Sequence, residues 1–95
     1  MCDHEKTLAG LRAEIEKTDD ALYALFARRM ALSLEIGREK KALGRDVRDP
    51  AREKIVLQNA RARAGEALAP YAETLCETLM RLSRAYQESE RNVSE

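Results

Sequence analysis

"LRAEIEKTDDALYALFARRMALSLEIGREK", residues 11–40, holds no proline and a single glycine, Gly37, close to its end. Within and around it, apolar residues fall at Leu8, Leu11, Ile15, Leu22, Leu25, Leu32, Ile36 and Leu43. The steps are three, four or sums of these, the period of one helix face. Gly44 follows Leu43 as a C-terminal stop. The pattern predicts one helix over about residues 6–43, about 36 residues between its first and last stripe positions, or roughly 54 Å at 1.5 Å per residue. A compact chain of this size has a radius of gyration near about 12–13 Å, so such a rod projects beyond it and bares an apolar stripe. The simplest cover for that stripe is the same helix of a second chain, so a homodimer is expected.

Past the break, "RDPARE" (residues 48–53) opens a second helix. Asp49 is its cap and Pro50 occupies its first turn, where a missing N–H costs nothing. This helix is expected over about 50–64, with Gly65 as its stop and Ile55, Val56 and Ala60 as its inner face. A third helix, about 70–90, starts near Pro70 and carries Leu75, Leu79, Leu82 and Tyr86 at helical spacing. It fades into the polar tail "SERNVSE", and both chain ends are expected to fray. The expected fold is all-α and a single domain over residues 1–95: three helices per chain, the first very long and paired with a second chain in an intertwined helical dimer.

Composition agrees. The 95 residues are 44% hydrophobic and 36% charged, with no Trp, one Phe and two Pro, which suits exposed helices better than sheets. Lys+Arg and Asp+Glu balance at 17 each, so the net charge gives no sign of nucleic acid or of an anionic membrane. No apolar run approaches the roughly 20 residues that span a bilayer, and "MCDHEK" has no signal-peptide core. Cys2 and Cys76 lie far apart with no motif spacing, so a reduced protein of the cytoplasm is the simpler reading.

Charges interrupt the apolar faces. Arg29 occupies a stripe position between Leu25 and Leu32. Lys40 lies about 20° from it around the helix and about 16.5 Å along it, so two long cationic side chains could hold one small anion between them. Taken singly, each reads first as a snorkelling side chain whose stem covers apolar surface. Arg12 faces another side, about 80–100° away. Arg52 and Glu53 sit at the start of the second helix, where solvated surface is the default reading. Ser83 and Gln87 are one turn apart on the third helix beside Leu79 and Met80, either buried with partners or at the stripe's edge in water.

Together these stretches resemble the all-α class of chorismate mutase. "LRAEIEKTDDALYALFARRMALSLEIGREK" is similar to that family's first helix, with an Arg near its start, paired Arg in the middle and a Lys after a glycine. "VRDPAREKIVL" resembles the turn into its second helix, and "LMRLSRAYQ" the Ser and Gln of its third. The likeness covers residues 8 to about 88, with all three motifs in order at right-sized gaps. Glu16 and Thr18 depart from residues commoner in the family, and Arg84 stands where an apolar residue is commoner, at the edge of the pocket.

The resemblance implies an intertwined homodimer with two equivalent pockets. It implies an isomerase that converts chorismate to prephenate on the shikimate-derived route to Phe and Tyr, with no cofactor and no metal. Arg29, Arg52 and Arg12 from the partner chain would bind the substrate's two carboxylates, as guanidinium forks suit. Lys40 and Gln87 would donate to the ether oxygen. Glu53 would accept from the ring hydroxyl, Asp49 would lie near the same end, and Ser83 would assist at a carboxylate. The reaction is unimolecular: one C–O bond breaks while one C–C bond forms, so no base or nucleophile is required. Rate then comes from holding the reactive conformer and from donors at the oxygen where charge develops. His4 and Cys2 have no part in such chemistry.

Two other readings stand beside this one. An isochorismate pyruvate-lyase shares the fold and a cationic pocket, but differs at the second helix, and Glu53 favours the mutase. A non-catalytic helical dimerisation module accounts for the stripe, but not for the polar and charged residues at inner-face positions on all three helices. The polar tail after the third helix favours a stand-alone enzyme over a piece of a bifunctional one.

Overall fold

In a computed structural model that describes residues 2–94 (the side chain of Ser94 excepted), the chain forms α1 (Asp3–Ala42), α2 (Pro50–Ala64) and α3 (Ala69–Ser94). The fold is thus all-α with a very long first helix, as its periodicity requires. α1 begins before the apolar stripe does. Asp3 and Glu5 lie in its first turn, where carboxylates complement the positive end of the helix dipole, and the Cys2 carbonyl accepts from the Lys6 N–H.

α1 ends in a Schellman turn. The Arg45 N–H donates to the Lys40 carbonyl at 2.8 Å and the Gly44 N–H to the Lys41 carbonyl at 3.0 Å, with Gly44 at φ +70°. That left-handed backbone favours glycine, and Lys40 and Lys41 in the last turn suit the negative end of the dipole. A seven-residue connection leads to α2, and in it Val47 turns inward and is buried. Asp49 caps α2, its carboxylate accepting from the Arg52 N–H at 3.1 Å, with Pro50 next in line. Gly65, at φ +83°, stops α2.

The packing falls into two units, divided between Ala31 and Leu32. The amino-terminal unit is a single run of helix, on which Leu8, Leu11, Ile15, Leu22 and Leu25 are all exposed. The other unit comprises the end of α1 with α2 and α3. There Glu53 pairs with Arg84 and Arg61 with Glu73, so the partners step in opposite directions along α2 and α3, as in an antiparallel helical hairpin.

The side of α3 that meets its own chain differs from the expected stripe. Cys76 and Gln87 are buried and Ser83 half-buried on one face, while Leu75, Leu82 and Tyr86, about 100° around the helix, remain exposed. On α2, Val56 and Ala60 are half-buried but Ile55 is 47% exposed. The chain itself covers the side of α3 that carries Cys76, Ser83 and Gln87, and leaves the leucine side exposed. Among the described residues, Val47 and Cys76 are the buried apolar ones. α3 also stays helical through the tail to Ser94, where fraying was expected from about residue 90. Two contacts tie this end down: the Arg38–Glu90 ion pair at 2.6 Å, and the Arg91 guanidinium on the Arg45 carbonyl at 2.9 Å.

Candidate active site

The site residues of the carboxy-terminal unit gather in two groups. The first is centred on Ser33, in the last third of α1. Its hydroxyl donates to Oγ of Ser83 at 2.9 Å, and its carbonyl accepts from Nε2 of Gln87 at 2.8 Å. Ser83 and Gln87 are therefore not at a wetted edge. One helix turn carries both to the same residue of α1, and Gln87 is only 5% exposed. The stem of Gln87 passes directly over Gly37, one turn after Ser33, where the absence of a side chain bares the helix backbone.

Orientation of the amide follows from its partner: a carbonyl accepts, so nitrogen faces Ser33 and oxygen faces away. Oε1 of Gln87 is buried with no hydrogen-bond partner. An unpaired buried acceptor costs about 1–3 kcal/mol.

Lys40 stands one turn beyond Gly37, half-buried. Its Nζ donates to the Val47 carbonyl at 2.7 Å, so the ammonium is fixed against the inward-turned part of the connection. The second group lies at the start of α2. Asp49 is committed to its cap, and Arg52 follows with an exposed side chain. Glu53 is 19% exposed at its side chain, with Oε2 on Nη1 of Arg84 at 2.5 Å and Oε1 3.7 Å from Nε of Arg48. Arg48, Asp49, Lys40 and Gly44 line one shallow cleft, and Arg48, Arg84 and Arg91 line another of about 660 Å³.

Arg12 and Arg29 belong to the amino-terminal unit, Arg12 exposed and Arg29 half-buried on α1. Three residues in the two groups were not among the site candidates read from the sequence: Ser33, Gly37 and Arg48. Gly37 is the only glycine of α1 past residue 10, and Ser33 is four residues before it on the same face. A small pair at that spacing is the signal that a neighbouring helix comes close.

An all-α chain that brings a buried amide, hydroxyls, a fixed ammonium and a glutamate held between guanidinium groups into a helical hairpin has the equipment to bind and polarise a small oxygen-rich anion. The sequence matches the chorismate mutase type II family over residues 11–88, and the chain belongs to that family. Its activity is accordingly that of an isomerase of aromatic biosynthesis, turning chorismate into prephenate. No solved structure matches the chain. Among the described residues no helix is long and apolar enough to cross a membrane.

Proposed function

We propose that the rearrangement is carried out by Lys40, Gln87, Arg29 and Glu53 of one chain, in a site completed by Arg12 of a second copy. Chorismate is a dianion whose ether C–O bond breaks as a new C–C bond forms. Electron density gathers on the ether oxygen along the way, so a donor already aimed at that oxygen stabilises the transition state more than the ground state. Gln87 is such a donor. Its Nε2 carries two hydrogens, one is committed to the Ser33 carbonyl, and the second remains to give. Lys40 likewise has three N–H groups and commits one to Val47. Both donors are held by the backbone of their own chain, so neither has to reorganise during the reaction.

The remaining roles follow charge. Arg29, Arg52 and the partner's Arg12 clamp the two carboxylates, Ser83 assists at one of them, and Glu53 accepts from the ring hydroxyl with Asp49 at the same end. The clamp holds the diaxial conformer in which the reacting carbons meet, a positioning effect worth several kcal/mol, of order 7–11 in favourable cases. No proton transfer is needed, and the site residues supply none.

The observation that carries this reading is the buried Gln87 amide, fixed by Ser33 and retaining one unused donor. The homodimer is supported by the exposed stripe of α1, Leu8, Leu11, Ile15, Leu22 and Leu25, which a lone chain leaves in water. A reducing cytoplasm fits Cys76, a buried cysteine outside any disulfide. The test supplies purified protein with chorismate and, in parallel, with isochorismate. Loss of chorismate absorbance with prephenate as product supports the reading. Pyruvate from isochorismate with no prephenate from chorismate overturns it.

A further inference from the structure

Arg84 stands beside the Ser83–Gln87 turn of α3, and the geometry around it is specific. Its Nη1 donates to Oε2 of Glu53 at 2.5 Å, from α3 across to the first turn of α2. The pair is half-buried, with side chains 29% and 19% exposed. Arg84 also directly follows Ser83 and precedes Gln87 by three residues, so it projects from the helical turn that carries both.

Arg48, the other guanidinium near Glu53, is 68% exposed and its Nε stands 3.7 Å from Oε1, beyond hydrogen-bond reach. The two carboxylate oxygens therefore differ. Oε2 is taken by α3, and Oε1 keeps its capacity to accept. We propose that Arg84 is a positioning residue for substrate recognition: by holding Oε2 it fixes the rotamer of Glu53 and presents Oε1 to the hydroxyl of the substrate ring. The same bond sets the spacing between that acceptor on α2 and the Ser83–Gln87 turn on α3. The proposal rests on the reading of Glu53 as hydroxyl acceptor given above.

A clamp that merely joined α2 to α3 would have different consequences, as Arg61–Glu73 does join them farther along. The hydroxyl contact is made in both the ground and the transition state, so its loss acts mainly on KM. Arg84→Met keeps the apolar stem and removes the fork. Its KM for chorismate is expected to rise about tenfold with kcat within about twofold, the size of one charge-assisted hydrogen bond. Arg84→Lys, which keeps a cation that reaches less well, is expected to recover part of that loss.

The decisive comparison is a double-mutant cycle with Glu53→Gln, with helicity and melting followed for each variant. If Arg84 acts through Glu53, Arg84→Met adds no more than about twofold to KM once Glu53 is Gln. A full tenfold effect in the Glu53→Gln background, or a wild-type KM in Arg84→Met while Glu53→Gln raises it, overturns the role of Arg84 alone. Wild-type kinetics in Glu53→Gln overturn the hydroxyl-acceptor reading itself, and the role of Arg84 with it.

Discussion

A β-carbon placed on Gly37 would lie 2.8 Å from Cγ of Gln87, closer than two such carbons approach in folded proteins. Gly37 is therefore the surface on which the Gln87 side chain rests. In Gly37→Ala the Gln87 stem has to move. Overpacking of this kind costs about 1–3 kcal/mol, so the melting temperature is expected to fall by several degrees. Displacing a donor by about 1 Å costs up to about a hundredfold in rate. Thermal melts and steady-state kinetics on one preparation check both, and unaltered kcat in a destabilised protein would separate packing from catalysis.

Lys40→Ala removes the ammonium assigned to the ether oxygen. Loss of one preorganised donor at a developing negative charge costs about 10²–10³ in kcat. The backbone that ends α1 needs no side chain at 40, since its Schellman bonds are made by main-chain atoms, so helicity is expected to persist. Circular dichroism and a turnover assay decide, and wild-type turnover would remove Lys40 from the mechanism.

Ser33 separates two roles within one residue. Its hydroxyl serves Ser83, while its carbonyl serves Gln87. Ser33→Ala deletes the first and keeps the second, so kcat is expected to hold within about threefold while KM rises through the carboxylate end. Stability is expected to fall by about 0.5–1.5 kcal/mol, one hydrogen bond's worth. A collapse of kcat would mean that the Gln87 contact depends on more than the carbonyl.

The α1 stripe makes a prediction about mass. Sedimentation equilibrium is expected to give twice the 10.8 kDa of one chain. Leu25, 68% exposed on a single chain, is a stripe residue whose change to Asp places a charge in the expected interface. Leu25→Asp is expected to shift the protein toward monomer with loss of activity, and a fully active monomer would dissolve the two-chain account.

How much of this was legible before the structure depends on distance along the chain. The three helices were, because periodicity and caps are local: Gly44, Asp49–Pro50 and Gly65 each act within a turn of where they stand. The shared face of Ser83 and Gln87 was legible for the same reason, being a matter of four residues. Their partner was not. Ser33 lies 50 and 54 residues away and looks like any small polar helix residue until α3 is laid across it. Arg84 was visible as an oddity, but its meaning depends on Glu53, 31 residues earlier. Spacing likewise showed that α3 has an apolar stripe without showing that its own chain buries the neighbouring face. A single sequence contains one copy of each helix, and which side a second copy covers is not written in its period.

The claim that two chains build one site admits a direct test by complementation. Arg12→Ala and Lys40→Ala homodimers are each expected to be nearly inactive. Unfolded together and refolded at equal amounts, half of the dimers should be mixed, and each mixed dimer should carry one site with both Lys40 and the partner's Arg12 intact. The account expects recovery of about one quarter of wild-type chorismate turnover, set by that random pairing. Refolded mixtures that form mixed dimers yet stay as inactive as either parent would contradict it, since Arg12 and Lys40 would then serve the same chain.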